Sequence, residues 1–473
     1  GFLVNQKFDY SNYLGLTAGV RSDYSSTFGA GSKPFTFPHA DLYLLPSQMD
    51  WWKGKLQDVV PFFKLRAAYG EAGIQPGPFD RYPVLNQQPI GSNVTYAFSN
   101  PTRNPNLNVE VSKETEFGTD FTINTGSNSN WLKSINASFT YWKRSSANVI
   151  YSIAVPLSTG ASGILDNAID MSSHGTQFSL NMPIFSSKNL TWDFTTNYGT
   201  QVSMIDAIKG GATIPLTSSA GSTNVVLVAG KPIGQIYAYP VVRSLDQKRT
   251  DGTAYFTDAM KASGRYVVVK DPVYGGNVVV DTLTKGAMIG SEQLPLGDPS
   301  PKFNMSFINN ITYKDFINLN FQFDWINGSH LYNQTKEWMY RDGISNDFDK
   351  VVEIPGFTPA AWTAYHASFY YALWGSTRGV GNNVTKDYFL EDASFVRLRN
   401  ISLSIDLAKT NTFKKFRKLQ LVFTGRNIMT WTKYTGMDPE ISSGSVNSSF
   451  DRGIDHSTIP NTKSYQIGLN IGF

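Results

Sequence analysis

The chain has 473 residues, with 41 Lys and Arg against 37 Asp and Glu, for a net charge of +4. That balance is too even for a nucleic-acid surface, and the absence of cysteine removes disulfides, thiolate metal sites and cysteine nucleophiles together. Charged residues make up only 16% and aromatics 14%, which alongside abundant Gly, Asn, Ser and Thr describes a β-rich protein whose surface does not all face water.

No apolar run approaches the roughly 18 residues of a transmembrane helix. Residues 1–10 lack the basic start and apolar core of a secretory signal. The chain opens directly in strand-like sequence, Gly1-Phe2-Leu3-Val4, so a part of a longer polypeptide is expected.

Alternation of apolar and polar residues predicts thirteen strands, near residues 1–8, 12–21, 35–45, 61–71, 111–123, 133–145, 174–184, 189–202, 301–311, 315–326, 392–407, 418–431 and 462–473. In 317–325, Ile317, Leu319, Phe321, Phe323 and Trp325 share one parity, and Asn318, Asn320, Gln322 and Asp324 the other. The last strand puts Tyr465, Ile467, Leu469, Ile471 and Phe473 on one side and small polar residues on the other. A half-buried strand of a soluble sandwich would show the same alternation. The connections separate the two cases. Those near 9–11, 46–60, 124–132, 185–188, 312–314 and 408–417 are short; those near 22–34, 72–110, 146–173, 203–300, 327–391 and 432–461 are long. An up-and-down barrel in an outer membrane has short periplasmic turns and long outer loops, and a sandwich has no reason to keep that phase. The predicted fold is therefore all-β, a transmembrane antiparallel up-and-down β-barrel. Thirteen is odd where single-chain barrels are even, so we expect either a count off by one or, preferably, further strands before Gly1.

The long loops are rich in aromatics. In 327–391, positions 362, 365, 366, 369 and 370 have helical spacing, which predicts a short amphipathic helix. Trp362, Tyr365, Tyr370, Tyr371 and Trp374 are the candidate substrate-binding residues, because aromatic faces stack on sugars or pack on peptide side chains. The competing assignment is a small core of the loop itself, or a surface for a partner protein. Loop 203–300 holds strand-like pieces at 236–239 and 266–269.

Nothing in the pattern points to catalysis. The histidines His39, His174, His330, His366 and His456 are isolated, without zinc-ligand spacing. Glu391 and Asp392 are adjacent on a strand and point to opposite faces, so they cannot flank one glycosidic bond. The stretch around Asp251-Gly252 lacks the ligand spacing of a calcium loop. No metal or cofactor is expected, and no enzyme. Arg397 and Arg399 share the parity of the apolar face of their strand, which suggests snorkelling to the membrane surface or bonds into the loops.

Several segments carry a family resemblance. They are Leu65-Arg66-Ala67-Ala68-Tyr69-Gly70-Glu71-Ala72-Gly73; Asn104-Pro105-Asn106-Leu107 followed by Glu110; Pro156-Leu157-Ser158-Thr159-Gly160; and Gly230-Lys231-Pro232-Ile233-Gly234-Gln235-Ile236-Tyr237. Further on come Gly297-Asp298-Pro299-Ser300-Pro301-Lys302, the run from Glu391 to Leu403, the run from Gly425 to Tyr434, and Met437-Asp438-Pro439-Glu440. In this order the chain resembles the C-terminal barrel portion of SusC/RagA-like TonB-dependent outer-membrane transporters of the Bacteroidetes. Departures fall at Arg21–Phe28, at Val109-Glu110-Val111 and at Ile459-Pro460. The resemblance implies that residues 1–473 are part of a barrel of about 22 strands, with the plug and first strands outside this chain. It also implies import of an oligosaccharide or peptide nutrient across the cell outer membrane. Its implied partners are a SusD-like surface lipoprotein, TonB and outer-membrane lipid, with no nucleic acid; a homodimer of transporter–lipoprotein pairs is compatible with it. The alternative is a barrel scaffold or channel within a larger surface or secretion complex, without uptake.

Overall fold

A computed structural model describes residues 1–25, 27, 34–99, 101–127, 129–211, 213–216, 225–271, 276–283, 286–342, 344–350, 387–442 and 452–473. Thirteen strands form one continuous sheet. They are β1 (Phe2–Tyr10), β2 (Leu14–Asp23), β3 (Phe35–Leu44), β4 (Phe62–Ile74), β5 (Glu110–Asn124), β6 (Ser134–Ala154) and β7 (Gly163–Ser186). The remainder are β8 (Leu190–Ile208), β9 (Phe303–Tyr313), β10 (Ile317–Asn327), β11 (Phe395–Asp406), β12 (Lys418–Thr432) and β13 (Ser464–Gly472). Their spatial order is their sequence order, with neighbours antiparallel, so the meander read from alternation is the meander formed.

Short turns close one end of the sheet. Tyr13 N–H donates to the Tyr10 carbonyl around Ser11 and Asn12, both at positive φ, and Phe316 does the same to Tyr313 around Lys314 and Asp315. Left-handed central residues match the right-handed twist of the flanking strands. The connection after β3 is longer because Pro46–Gln48, Asp50–Trp52 and Lys55–Val59 coil into short helices, and Trp52 stacks on Phe63 at 5.4 Å.

Register aligns residues of one kind into rows. Leu319, Leu403, Phe423 and Ile467 lie side by side across β10 to β13, as do Ile317, Ile405, Leu421 and Leu469 one step below. On the opposite face the row is Asn310, Asn320, Ser402, Thr424 and Gln466. There the side chains bond across strands: Asn320 to Asn310 at 2.5 Å, Asn400 to Asn320 at 3.0 Å, and Ser402 with Thr424 at 3.1 Å. One face is thus a hydrocarbon surface and the other a hydrogen-bonded wet wall. The apolar face carries an aromatic belt at each end. Tyr198, Phe303 and Trp325 make a chain of ring contacts at the long-loop end, and Trp131 meets Phe185 at 4.7 Å at the short-turn end. Paired belts of this kind mark the two membrane–water interfaces.

Three strands run furthest beyond the expected lengths. β6, β7 and β8 run for 21, 24 and 19 residues, so most of the connection predicted at 146–173 is strand. Their upper ends stand above the membrane band, where no lipid imposes a two-residue period. Instead Val149, Ala168, Ile169, Ile205 and Ile208 enter a buried core with Val225, Leu227, Ile236, Val278, Val280, Tyr332, Tyr340 and Tyr388 from the outer loops. Small sheets organise this core, among them Gln235–Ala238 with its neighbours and the hairpin of Tyr266–Lys270 with Asn277–Asp281, where strand pieces were expected. No helix among the described residues is long and apolar enough to cross a membrane.

Candidate functional site: a charged inner wall beneath folded loops

The polar face is concave and holds a groove of about 670 Å³ lined by Arg66, Glu116, Ser138, Asn197, Ser306, Asp324, Arg399 and Glu440, among others. Arg66 on β4 donates to Asp120 at 3.2 Å and to Thr140 at 2.5 Å, while Ser138 donates to Asp120 at 2.6 Å. The guanidinium lies across Gly118 of β5, where an added Cβ would come within 2.5 Å of it. Tyr43 lies across Gly15 in the same way and donates to Asp9 at 2.8 Å. Glycine opposite a large side chain lets that side chain lie flat on the wall.

Sequence reasoning passed over Arg66, Glu114, Glu116 and Asp120. The available signal was parity: they share the non-lipid side of β4 and β5, where a charge is tolerated only if it faces water or a partner.

Of the two placements expected for Arg397 and Arg399, they take bonds into the loops, but from the inner face rather than the apolar one. A register irregularity between Leu398 and Asn400 inserts Arg399 opposite β10, while on β12 Asn427, at φ 52°, and Ile428 occupy the gap. The extra residue shifts parity by one, so Val396 and Leu398 join the apolar face and Arg397 turns inward. Arg397 is fully buried. It donates to Thr430 at 2.9 Å, to Glu440 at 2.6 Å and to Asp438 at 2.5 Å. Arg399 donates to Asp324 at 2.6 Å and to Glu440 at 2.7 Å. Burial pushes the Asp438 carboxyl up, but bonds from Arg397 and from the Glu440 and Asn461 amides outweigh it and hold the group below the usual carboxylate range.

Glu391 and Asp392 do point to opposite sides. Glu391 is buried and accepts from the Thr435 amide and hydroxyl, both at 2.7 Å, whereas exposed Asp392 caps Ser394 at 2.9 Å. Both roles are structural. Nearby, Tyr434 donates to Asp455 at 2.6 Å, and burial followed by that bond pushes its hydroxyl well above the ordinary tyrosine range. A second cavity of about 480 Å³ sits here, bordered by Asn333, Lys336, Asp347, Thr435, Met437 and Asp455 among others.

The loop between β4 and β5 raises a separate hairpin of Leu85–Ile90 and Asn93–Phe98. Leu85, Phe98, Tyr96 and Val94 fall on one face of it and are all exposed. The candidates Trp362, Tyr365, Tyr370, Tyr371 and Trp374 lie outside the described residues. Tyr465, Ile467, Leu469 and Ile471 project from the apolar face, and they and Phe473 are exposed, Tyr465 and Ile467 by 72% and 75%.

No family model matches the chain. Over 98% of its length it is 23% identical to TonB-dependent receptor P3 of Formosa agariphila, and 25% identical to TonB-dependent receptor SusC of Bacteroides thetaiotaomicron, covering 44% and 42% of those proteins. The structure of the RagAB peptide transporter superposes on the whole chain with a TM-score of 0.68 and 17% identity, over 47% of that chain. The chain thus spans a little under half the length of the relatives it matches. Over nearly its whole length the chain is similar to TonB-dependent receptors, and its fold is that of an outer-membrane β-barrel of that class. Within that class it is SusC/RagA-like.

Proposed function

We propose that residues 1–473 form membrane wall and outer loops of a TonB-dependent importer of an oligosaccharide or peptide nutrient. The observation that carries this reading is the pairing of a hydrocarbon outer face with a hydrogen-bonded, charged inner wall, capped by loops folded into a packed assembly. The free edges of β1 and β13 would leave unpaired backbone groups in lipid, each costing several kcal/mol. Further strands toward a 22-strand barrel would satisfy them. The mixed charges of the groove suit a hydrated plug and a polar cargo rather than a lipid one.

A SusD-like lipoprotein is the proposed partner. A two-stranded hairpin is not stable by itself in water, and the apolar face of Leu85, Val94, Tyr96 and Phe98 suits a protein lid. Trp362, Tyr365, Tyr370, Tyr371 and Trp374 are proposed to contact cargo beneath that lid. Tyr465, Ile467, Leu469, Ile471 and Phe473 are proposed to face lipid.

Deleting the locus tests import: growth should fail on at least one glycan or peptide source, and normal growth on every source offered counts against it. Phe98→Asp should reduce recovery of a surface lipoprotein with the purified complex. Recovery of secretion or adhesion components instead would favour the scaffold reading, and the mass of the complex reports whether pairs dimerise.

A further inference from the structure

The short turn between β11 and β12 carries positive charge that nothing in the chain neutralises. Lys409, Lys414, Lys415 and Arg417 lie in it and Lys418 begins β12, with no acid from Leu407 to Lys418. All five are exposed, and among the described residues none of them makes an ion pair. Arginines elsewhere on the wall are matched, Arg66 with Asp120, Arg144 with Glu114 and Arg399 with Asp324. Two acids stand near the turn. Asp406, at the foot of β11, accepts from the Ala408 and Leu419 amides, both at 3.2 Å, and Asp315 in the neighbouring turn is accompanied by Lys314. The turn stays strongly positive.

Its shape is fixed from within. Leu407–Lys409 and Asn411–Phe413 each coil into a single 3-10 turn. The Thr410 hydroxyl donates to the Leu407 carbonyl at 2.6 Å, and the Phe416 amide to the Phe413 carbonyl at 3.0 Å. Phe416 meets Phe473 at 5.8 Å, and Phe413 is exposed. Directly above, Leu419 and Ile471 pair as the lowest row of the apolar face. At about 3.3 Å per residue, Arg417 and Lys418 stand within roughly 7 Å of that row, about the depth of one headgroup layer.

We propose that this turn docks anionic phospholipid of the inner leaflet, with its cations on the headgroup phosphates and Phe413 at the acyl boundary. The site rests on the assignment of hydrocarbon to the apolar face and adds a choice of headgroup to it. A zwitterionic headgroup brings its own ammonium, which the cluster repels. Cations strung along a turn, rather than converging on one point, fit a row of headgroups and not a single free anion. Their long stems let the charges reach the phosphates while the backbone keeps its bonds.

The full polypeptide as the cell makes it, stripped of lipid in neutral detergent, can be titrated with phosphatidylglycerol or with phosphatidylcholine of the same acyl chains. Native mass spectrometry then reads the binding of the first lipid. The intact protein should bind phosphatidylglycerol about tenfold or more tighter than phosphatidylcholine. Lys414→Gln, Lys415→Gln and Arg417→Gln together should weaken phosphatidylglycerol on the order of a hundredfold, at a factor of about five per cation, and leave phosphatidylcholine unchanged. Lys414→Arg, Lys415→Arg and Arg417→Lys together keep the charge and should bind as the intact protein does. Removing three exposed outer-loop cations, by Lys231→Gln, Lys248→Gln and Lys350→Gln, should have no effect. Raised salt should weaken phosphatidylglycerol, whereas inorganic phosphate at constant ionic strength should not displace it. Equal affinity of the intact protein for the two lipids, equal losses in the two glutamine variants, or displacement by inorganic phosphate would overturn the site and leave the apolar face as it is. Binding of neither lipid would remove the hydrocarbon assignment beneath it.

Discussion

A charge placed on the last strand separates the two faces of the wall. β13 spans nine residues, Ser464–Gly472. At about 3.3 Å per residue it is roughly 30 Å long, and tilted by about 40° it covers roughly 23 Å of membrane depth. That is close to the roughly 25 Å apolar band of an outer-membrane barrel. Ile467 sits near the middle of this span, in the row with Leu319, Leu403 and Phe423, and is exposed to its surroundings. Gln466, one residue away, lies in the row with Asn320, Ser402 and Thr424. Ile467→Arg should therefore cost about 2–4 kcal/mol, the depth-dependent cost of arginine near the bilayer midplane. Gln466→Arg should cost no more than about 0.5 kcal/mol, as an ordinary substitution on a wet surface. Tyr465→Arg, at the upper interface, should fall at about 1 kcal/mol or below. Guanidinium unfolding of the vesicle-inserted barrel, followed by tryptophan emission, gives the three values. Equal costs at 466 and 467, or a larger cost at 466, would refute the assignment of hydrocarbon to the Ile467 side.

Other consequences are more local. Arg397→Ala should destabilise by about 3–5 kcal/mol, because it leaves buried Asp438 without its cation, and loss of the folded, heat-modifiable band in the outer membrane would report it. Gly118→Leu should swing Arg66 off Asp120, costing about 1–3 kcal/mol by overpacking; in an Arg66→Ala background the same Gly118→Leu change should cost markedly less, because the guanidinium it displaces is already gone. Burial raises the Asp387 carboxyl to about 6 against the opposing pull of Arg243. Its native form thus binds the proton more tightly than its unfolded form, and stability should fall by about 3 kcal/mol in all as pH rises from about 3, below the unfolded value, to about 7, above the folded one. Asp387→Asn should flatten that stretch of the stability–pH curve, and an unchanged slope would rule the group out.

The thirteen wall strands and most of their faces were readable in residue order, as was the meander that joins them. The reason is physical. A wall with lipid on one side and water on the other imposes a two-residue period on every strand, and each strand records that contrast by itself. Ile317 to Trp325 and Tyr465 to Phe473 show it without any partner. Tertiary structure decided whatever depends on a neighbour's register. One inserted residue at Arg399 reversed the parity of Arg397, so of its two expected placements, the membrane surface or bonds into the loops, it took the second, as a buried anchor for Asp438. The partnership of Arg66 with Asp120 appears only once β4 and β5 are aligned. The upper halves of β6 and β7 escaped detection because, above the membrane, packing against loops from distant sequence replaces lipid as the organising contact. A period can be read along a chain, whereas a register is settled only between two of its segments.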